Sequence, residues 1–208
     1  MEANMSFRLR LIPVLLAAAI LFPVAAAAQS SSTTFGFKVG VNSSTLSLKD
    51  SPIPAVSSIW GAVGGAFFGT NMTENLGLQL EALVGQRGAK EDASPSVGTI
   101  RTNYLDVPLT ARFGSTNTNG MHFHVFTGPQ FGYLLQAKVI DEPLDVTRDI
   151  KDDLKSWDLG WTLGAGVEMN RLSLDARYTL GLTSITKFES DGELKNRTFT
   201  FLLGYRFQ

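Results

Sequence analysis

The stretch Trp157–Leu182, WDLGWTLGAGVEMNRLSLDARYTLGL, restricts the fold more than any other part of the chain. Trp157, Leu159, Trp161, Leu163, Ala165, Val167 and Met169 occupy one parity, and Asp158, Gly160, Thr162, Gly164, Gly166 and Glu168 the other. After Asn170–Arg171 the pattern resumes. Leu172, Leu174, Ala176, Tyr178, Leu180 and Leu182 alternate with Ser173, Asp175, Arg177, Thr179 and Gly181. A period of two is the signature of a strand with unlike faces, so this is a hairpin of two long strands sharing one apolar face. A soluble barrel turns that face inward. A barrel in lipid turns it outward.

The N-terminus bears on the choice. Arg8 and Arg10 precede an apolar run, Leu11–Val24, and Ala26-Ala27-Ala28 offers small residues before Gln29. This reads as a secretory signal peptide over residues 1–28, leaving 29–208 as one domain. The run is short for a spanning helix and is broken by Pro13 and Pro23. Without cysteine the chain has neither a lipid attachment point nor a disulfide. A net charge of −1 with 18% charged residues argues against a nucleic-acid partner and against a disordered acidic chain.

Eight strands are expected: Phe35–Asn42, Ile59–Thr70, Leu76–Gly88, Ile100–Phe113, His122–Lys138, Trp157–Met169, Leu172–Thr183 and Arg197–Phe207. On the fifth, Phe123, Val125, Phe131, Tyr133, Leu135 and Ala137 share a parity opposite His124, Gln130, Gly132, Gln136 and Lys138. The second, IWGAVGGAFFGT, is too rich in Gly and Ala to reveal its facing. Most are as long as the roughly 9–11 residues a tilted membrane strand needs. The connections alternate. Ser43–Ser58, Ala89–Thr99, Val139–Ser156 and Ser184–Asn196 are long; Asn71–Asn75, Gly114–Met121 and Asn170–Arg171 are short. Long loops therefore gather at one end, and short turns gather at the other with both termini, as in outer-membrane barrels. Within the longest loop, Val146, Ile150 and Leu154 carry a weak helical rhythm.

Charge settles the facing. Lys38, Glu81, Arg87, Asp106, Arg112, Glu168, Asp175, Arg177 and Arg206 lie on the polar parity. In lipid each would cost about 2–4 kcal/mol near the midplane. In a narrow eight-stranded interior, opposite signs can neutralise one another. Aromatics agree: Trp157, Trp161 and Tyr133 fall toward the loop end, and Phe35, Phe37, Phe113, Phe123, Tyr205 and Phe207 toward the turn end. The fold expected is all-β, an eight-stranded antiparallel up-and-down transmembrane barrel with a charged interior. On this parity Leu163→Arg is damaging and Thr162→Arg milder.

Chemistry is sparse. His122 and His124, the only histidines, share one strand face, a spacing two metal ligands can use. No acidic residue adjoins them, and they read as interior or rim residues. The interior carboxylates read as charge partners of the arginines rather than a catalytic pair. GAVGG and LGAGVE lack the lysine and helix of a phosphate loop; their glycines read as interior space. No catalytic residue, metal or cofactor is expected.

The pieces FGFKVGVNSSTL, LGLQLEALVGQRGAK, YLDVPLTARF, FTGPQFGYLLQAK, LGAGVEMNRLSLDARYTLGL and NRTFTFLLGYRF together resemble the outer-membrane β-barrel domain family of Bacteroidetes type, which includes PorT-like and small OmpX-like barrels. The resemblance implies outer-membrane lipid as surroundings. It also implies that a C-terminal aromatic ending, here Tyr205 and Phe207, is read by the barrel assembly machinery; Gln208 after Phe207 departs from that ending. The family has no single activity. Three functions remain open: a non-enzymatic structural or surface-display barrel with a plugged lumen and an extracellular partner at its loops, a channel or secretion accessory, and a soluble lipocalin-like carrier. For the first, simultaneous loss of Arg177 and Glu168 is the expected way to break the plug.

Overall fold

The computed structural model describes residues 33–48, 56–91, 98–116, 120–141, 146–185 and 194–207. The expected signal segment 1–28 lies outside them. Among the described residues there are nine strands: β1 (Thr33–Leu48), β2 (Val56–Asn71), β3 (Leu76–Glu91), β4 (Gly98–Thr116), β5 (Met121–Asp141), β6 (Val146–Asp149), β7 (Trp157–Met169), β8 (Leu172–Gly181) and β9 (Leu194–Arg206). All pairings are antiparallel. They run in the order β4-β3-β2-β1-β9-β8-β7-β5, and β5 returns to β4. Eight strands therefore close on themselves and leave no edge, the condition for a sheet to sit in hydrocarbon. The eight strands expected from sequence are those eight.

β6 is the addition. It pairs with Lys138–Asp141 of β5, on the edge that β7 leaves at Tyr133. The helical rhythm around Val146–Leu154 is corrected here: the segment is a short strand, then a single 3-10 turn over Lys151–Asp153. Of the apolar residues that suggested a helix, Leu154 is buried with Ile150 against its cluster, while Val146 is exposed.

Strands outrun their expected ends on the loop side. β1 continues to Leu48 and β2 resumes at Val56, so much of the Ser43–Ser58 loop is strand. β4 and β5, with 19 and 21 residues, far exceed the roughly 9–11 needed to cross hydrocarbon. Their upper parts form a wall beyond the lipid band. The opposite end is tight. In the β7–β8 hairpin, Asn170 takes φ 56°, a left-handed geometry asparagine tolerates.

The apolar parity faces out. Leu163 is 61% exposed while its neighbour Thr162 is 0% exposed. Phe35, Phe37, Phe113, Phe123, Tyr205 and Phe207 ring the turn end, and Phe207 packs on Phe35 and Tyr205 at centroid distances of 5.4 and 5.5 Å. Trp157, Trp161 and Tyr133 lie on the outer face toward the loop end. Trp60 joins them from β2, whose facing is resolved by Phe67 and Val63 pointing inward. Trp161 meets the lipid face with its indole N–H satisfied, donating to Thr127 Oγ1 at 2.8 Å.

One parity assignment fails. The β4–β5 register slips between Asn103 and Tyr104, a bulge that gives β5 one extra residue. Leu135 and Gln136 both lie outside, and Gln136 accepts from Asn103 Nδ2 at 3.2 Å. Ala137, expected outside, is buried inside; Lys138, expected inside, lies opposite the exposed Arg101.

Thr162 also corrects an expectation. Its hydroxyl sits between Gln130 Oε1 at 3.0 Å and Thr179 Oγ1 at 2.7 Å, with no space for a longer chain. We therefore expect Leu163→Arg to lower stability by about 2–4 kcal/mol through exposure of a charge to lipid. Thr162→Arg is expected to prevent folding altogether, and Thr162→Ser to be near neutral. Refolding yields into lipid, read by heat-modifiable gel migration, check the order.

Candidate functional site: the charged lumen

The inward parity builds the lumen in tiers. At mid-height Lys38 of β1 reaches Glu81 of β3 at 2.7 Å and Asp175 of β8 at 2.6 Å. Arg177 of β8 meets the other oxygen of Glu81 at 2.8 Å. Gln79 Nε2 donates to Glu81, and His124 Nε2 stands 2.9 Å from Asp175 Oδ1. Two cations and two carboxylates thus balance in a space where each is at most 3% exposed. A cluster so buried is stable only when neutral and internally bonded.

A second tier lies toward the loops. Arg87 of β3 binds Asp106 of β4 at 2.6 Å and stands 4.0 Å from Asp158 of β7. Asp158 also accepts from Asn196 Nδ2 and Thr183 Oγ1, both at 2.9 Å. Each buried cation has an aromatic ring on a further side. Lys38 lies 5.2 Å from the Phe67 centroid, Arg87 5.1 Å from Tyr104 and Arg177 5.3 Å from Phe126. The ring faces add cation–π attraction where water is excluded.

Above this tier lies a cluster of buried apolar side chains. Leu154, carried by the segment after β6, packs on Tyr104, Leu134 and Ala137, with Ile150 against them. Backbone bonds fix it: Leu134 N–H donates to Ser156 at 2.8 Å, Ile150 N–H to Ala137 at 3.1 Å and Lys155 N–H to Ile185 at 2.9 Å.

At the turn end the lumen opens into a vestibule of 390 Å³. Glu168 is shared here: Oε1 is 2.5 Å from Arg206 and Oε2 is 3.6 Å from Arg112. Arg112 also donates to Gln79 Oε1 at 2.6 Å. Its other amino nitrogen lies 3.1 Å from His124 Nε2, the same nitrogen that faces Asp175. Arg112 needs that nitrogen to accept and Asp175 needs it to donate, so the proton on His124 decides which bond is made.

Glycines make the packing possible. Across neighbouring strands the register reads His124–Gly166–Asp175, Phe126–Gly164–Arg177 and Asp106–Gly132–Asp158. Each large pair is separated by a residue with no side chain, so the pair can meet across it. A Cβ on Gly166 would collide with Asp175 Oδ1 and His124 Nε2. The glycines of LGAGVE are spacers in this ladder.

All nine charges placed on the polar parity line the lumen, and there opposite signs meet. Glu168 and Arg177 do not meet: Arg177 binds Glu81, while Glu168 binds Arg206 and Arg112. Two further residues of the cluster, His124 and Asp158, are outside that set of nine. Their signal was parity plus register: His124 and Asp175 become neighbours only once β5, β7 and β8 are aligned. His122 sits in the vestibule wall, its ring stacked at 6.1 Å on His124 and its Nδ1 3.1 Å from Thr116. Tyr205 and Phe207 point away from the lumen.

Glu81→Gln leaves Lys38 and Arg177 sharing one carboxylate and is expected to cost about 3–5 kcal/mol. Gly166→Val alters no charge and is expected to cost about 1–3 kcal/mol by overpacking. Urea unfolding in lipid vesicles measures both; equal stability of either variant with the parent chain contradicts the ladder.

A family model described as "Outer membrane protein beta-barrel domain" matches residues 27–187. Among solved structures, Neisserial surface protein A is similar at 10% identity with a TM-score of 0.50, covering 85% of this chain and 99% of that one. Ail, the attachment invasion locus protein of Yersinia pestis, solved with the heparin analogue sucrose octasulfate, has 15% identity and a TM-score of 0.45 over 85% and 99%. OprG from Pseudomonas aeruginosa has 13% identity and a TM-score of 0.45 over 85% and 94%. No curated protein sequence matches. Closed barrel, outward apolar face and family match agree: the chain belongs to the outer-membrane β-barrel domain family.

Proposed function

We propose that this protein is a non-enzymatic structural and surface-display barrel of the Gram-negative outer membrane, its lumen plugged. In this reading residues 1–28 direct export, and Tyr205 and Phe207 present the closing strand to the assembly machinery. The turns and both termini face the periplasm. The taller loop-end wall faces outside, where it can meet an extracellular partner.

The observation that carries the reading is the double closure of the lumen. The ion cluster of Lys38, Glu81, Asp175 and Arg177 fills the middle, and Leu154 caps the mouth above it. A hydrated ion has no path through side chains so buried and so bonded. The lipocalin-like alternative fails on the same facts, since the inward parity is ionic and the apolar parity is exposed.

In planar bilayers we expect no steady conductance from the parent protein. Reproducible open-channel steps would move the channel reading to first place. The orientation is checked by an epitope inserted between Ser184 and Asn196. It is expected to be reached by antibody on intact cells, and labelling only after the outer membrane is broken reverses the assignment.

A further inference from the structure

The vestibule has a charge imbalance that the plug does not. Within the plug Lys38 and Arg177 are matched by Glu81 and Asp175. In the vestibule the guanidinium of Arg112, farther in, and that of Arg206, nearer the rim, share the single carboxylate of Glu168. At the rim Arg171 and Glu74 line the same cavity, and neither has an ion-pair partner among the described residues. Three guanidiniums thus face two carboxylates, and His122 adds an imidazole to the wall.

These groups are held in place. Arg206 donates to Asn170 O at 2.9 Å and Arg112 to Gln79 Oε1 at 2.6 Å. The cavity, at 390 Å³, lies within the range of about 300–1,000 Å³ typical of small-molecule sites. It is walled by barrel strands whose outer faces meet lipid, so field lines from the excess charge are focused toward its one open end.

We propose that the turn-end vestibule binds a small oxyanion, a phosphate or the carboxylate terminus of a ligand, between Arg112, Arg206 and Arg171. The anion enters from the turn side and rests above Lys38, which closes the floor. Its charge offsets the surplus guanidinium, and the imidazole of His122 offers it a further polar partner. Because the plug lies beyond the floor, the site holds its ligand without passing it on. The cavity takes this anion whichever side of the membrane the turns occupy.

The test is calorimetric titration of the folded barrel in non-ionic detergent, at constant ionic strength set with chloride. Sodium phosphate and sodium acetate are titrated separately, with folding verified by heat-modifiable migration. One saturable site per chain is expected, at roughly millimolar affinity. Saturation by phosphate alone assigns a phosphorylated ligand, and saturation by acetate as well assigns a carboxylate. Combined Arg206→Gln and Arg171→Gln is expected to weaken binding at least about tenfold. Arg101→Gln, on the outer face of β4, is expected to leave it unchanged. Arg112→Gln should act like the double variant. Since it also removes a partner of Gln79, the rim double variant decides the matter if Arg112→Gln does not fold. The proposal is overturned if neither anion gives a saturable signal, or if the rim double variant binds as the parent does.

Discussion

Neutralising charge inside a narrow tube is the interaction on which this structure depends. Lipid outside accepts neither open backbone groups nor ionised side chains, so the sheet must close and its charges must turn inward. An eight-stranded tube has no aqueous core in which to leave them. Each inward cation therefore meets a carboxylate, as in Lys38 with Glu81 and Asp175, Arg87 with Asp106, and Arg206 with Glu168. The glycine ladder, the aromatic rings beside the cations and the leucine cap are conditions for that neutralisation. They provide room, polarisable surface and exclusion of water.

The outer surface was almost fully legible in the chain. Period-two alternation from Trp157 to Leu182 fixed the parity of β7 and β8, and the same rhythm marked most of the barrel strands, β2 being too rich in Gly and Ala to show its facing. The interior was legible as a composition and not as a wiring diagram. Which carboxylate meets which guanidinium depends on stagger between strands, so Arg177 finds Glu81 on distant β3 rather than Glu168 on adjacent β7. Lys38 stands alone on β1 and showed its role only when β3 and β8 came level with it. The bulge at Leu135–Gln136 has no mark in the sequence, because nothing in that run distinguishes an extra residue from a regular one. β6 was missed because a four-residue strand owes its existence to the vacant edge of β5.

The two ends of the lumen are built on opposite principles. Toward the loops, Leu154, Leu134 and Tyr104 form an apolar cluster, beside strands of 19 and 21 residues. Toward the turns the lumen widens into the ionic vestibule around Glu168. A single tube thereby has one apolar end and one ionic end. Evolving a new surface at the loops need not disturb the ion cluster, since the apolar cluster stands between them.

The sequence separations of the plug set the order in which the molecule comes together. Lys38 and Asp175 are 137 positions apart, and Arg177 and Glu81 are 96 apart. No hairpin can satisfy these groups on its own, so a partly assembled sheet carries them bare. Only when β1 docks on β9 and the tube closes do Lys38 with Asp175 and Arg177 with Glu81 meet. Closure and charge neutralisation are then one cooperative step, slow because its contacts are so non-local. An open intermediate is poorly suited to hydrocarbon, and the chain has reason to enter the membrane as it closes rather than before.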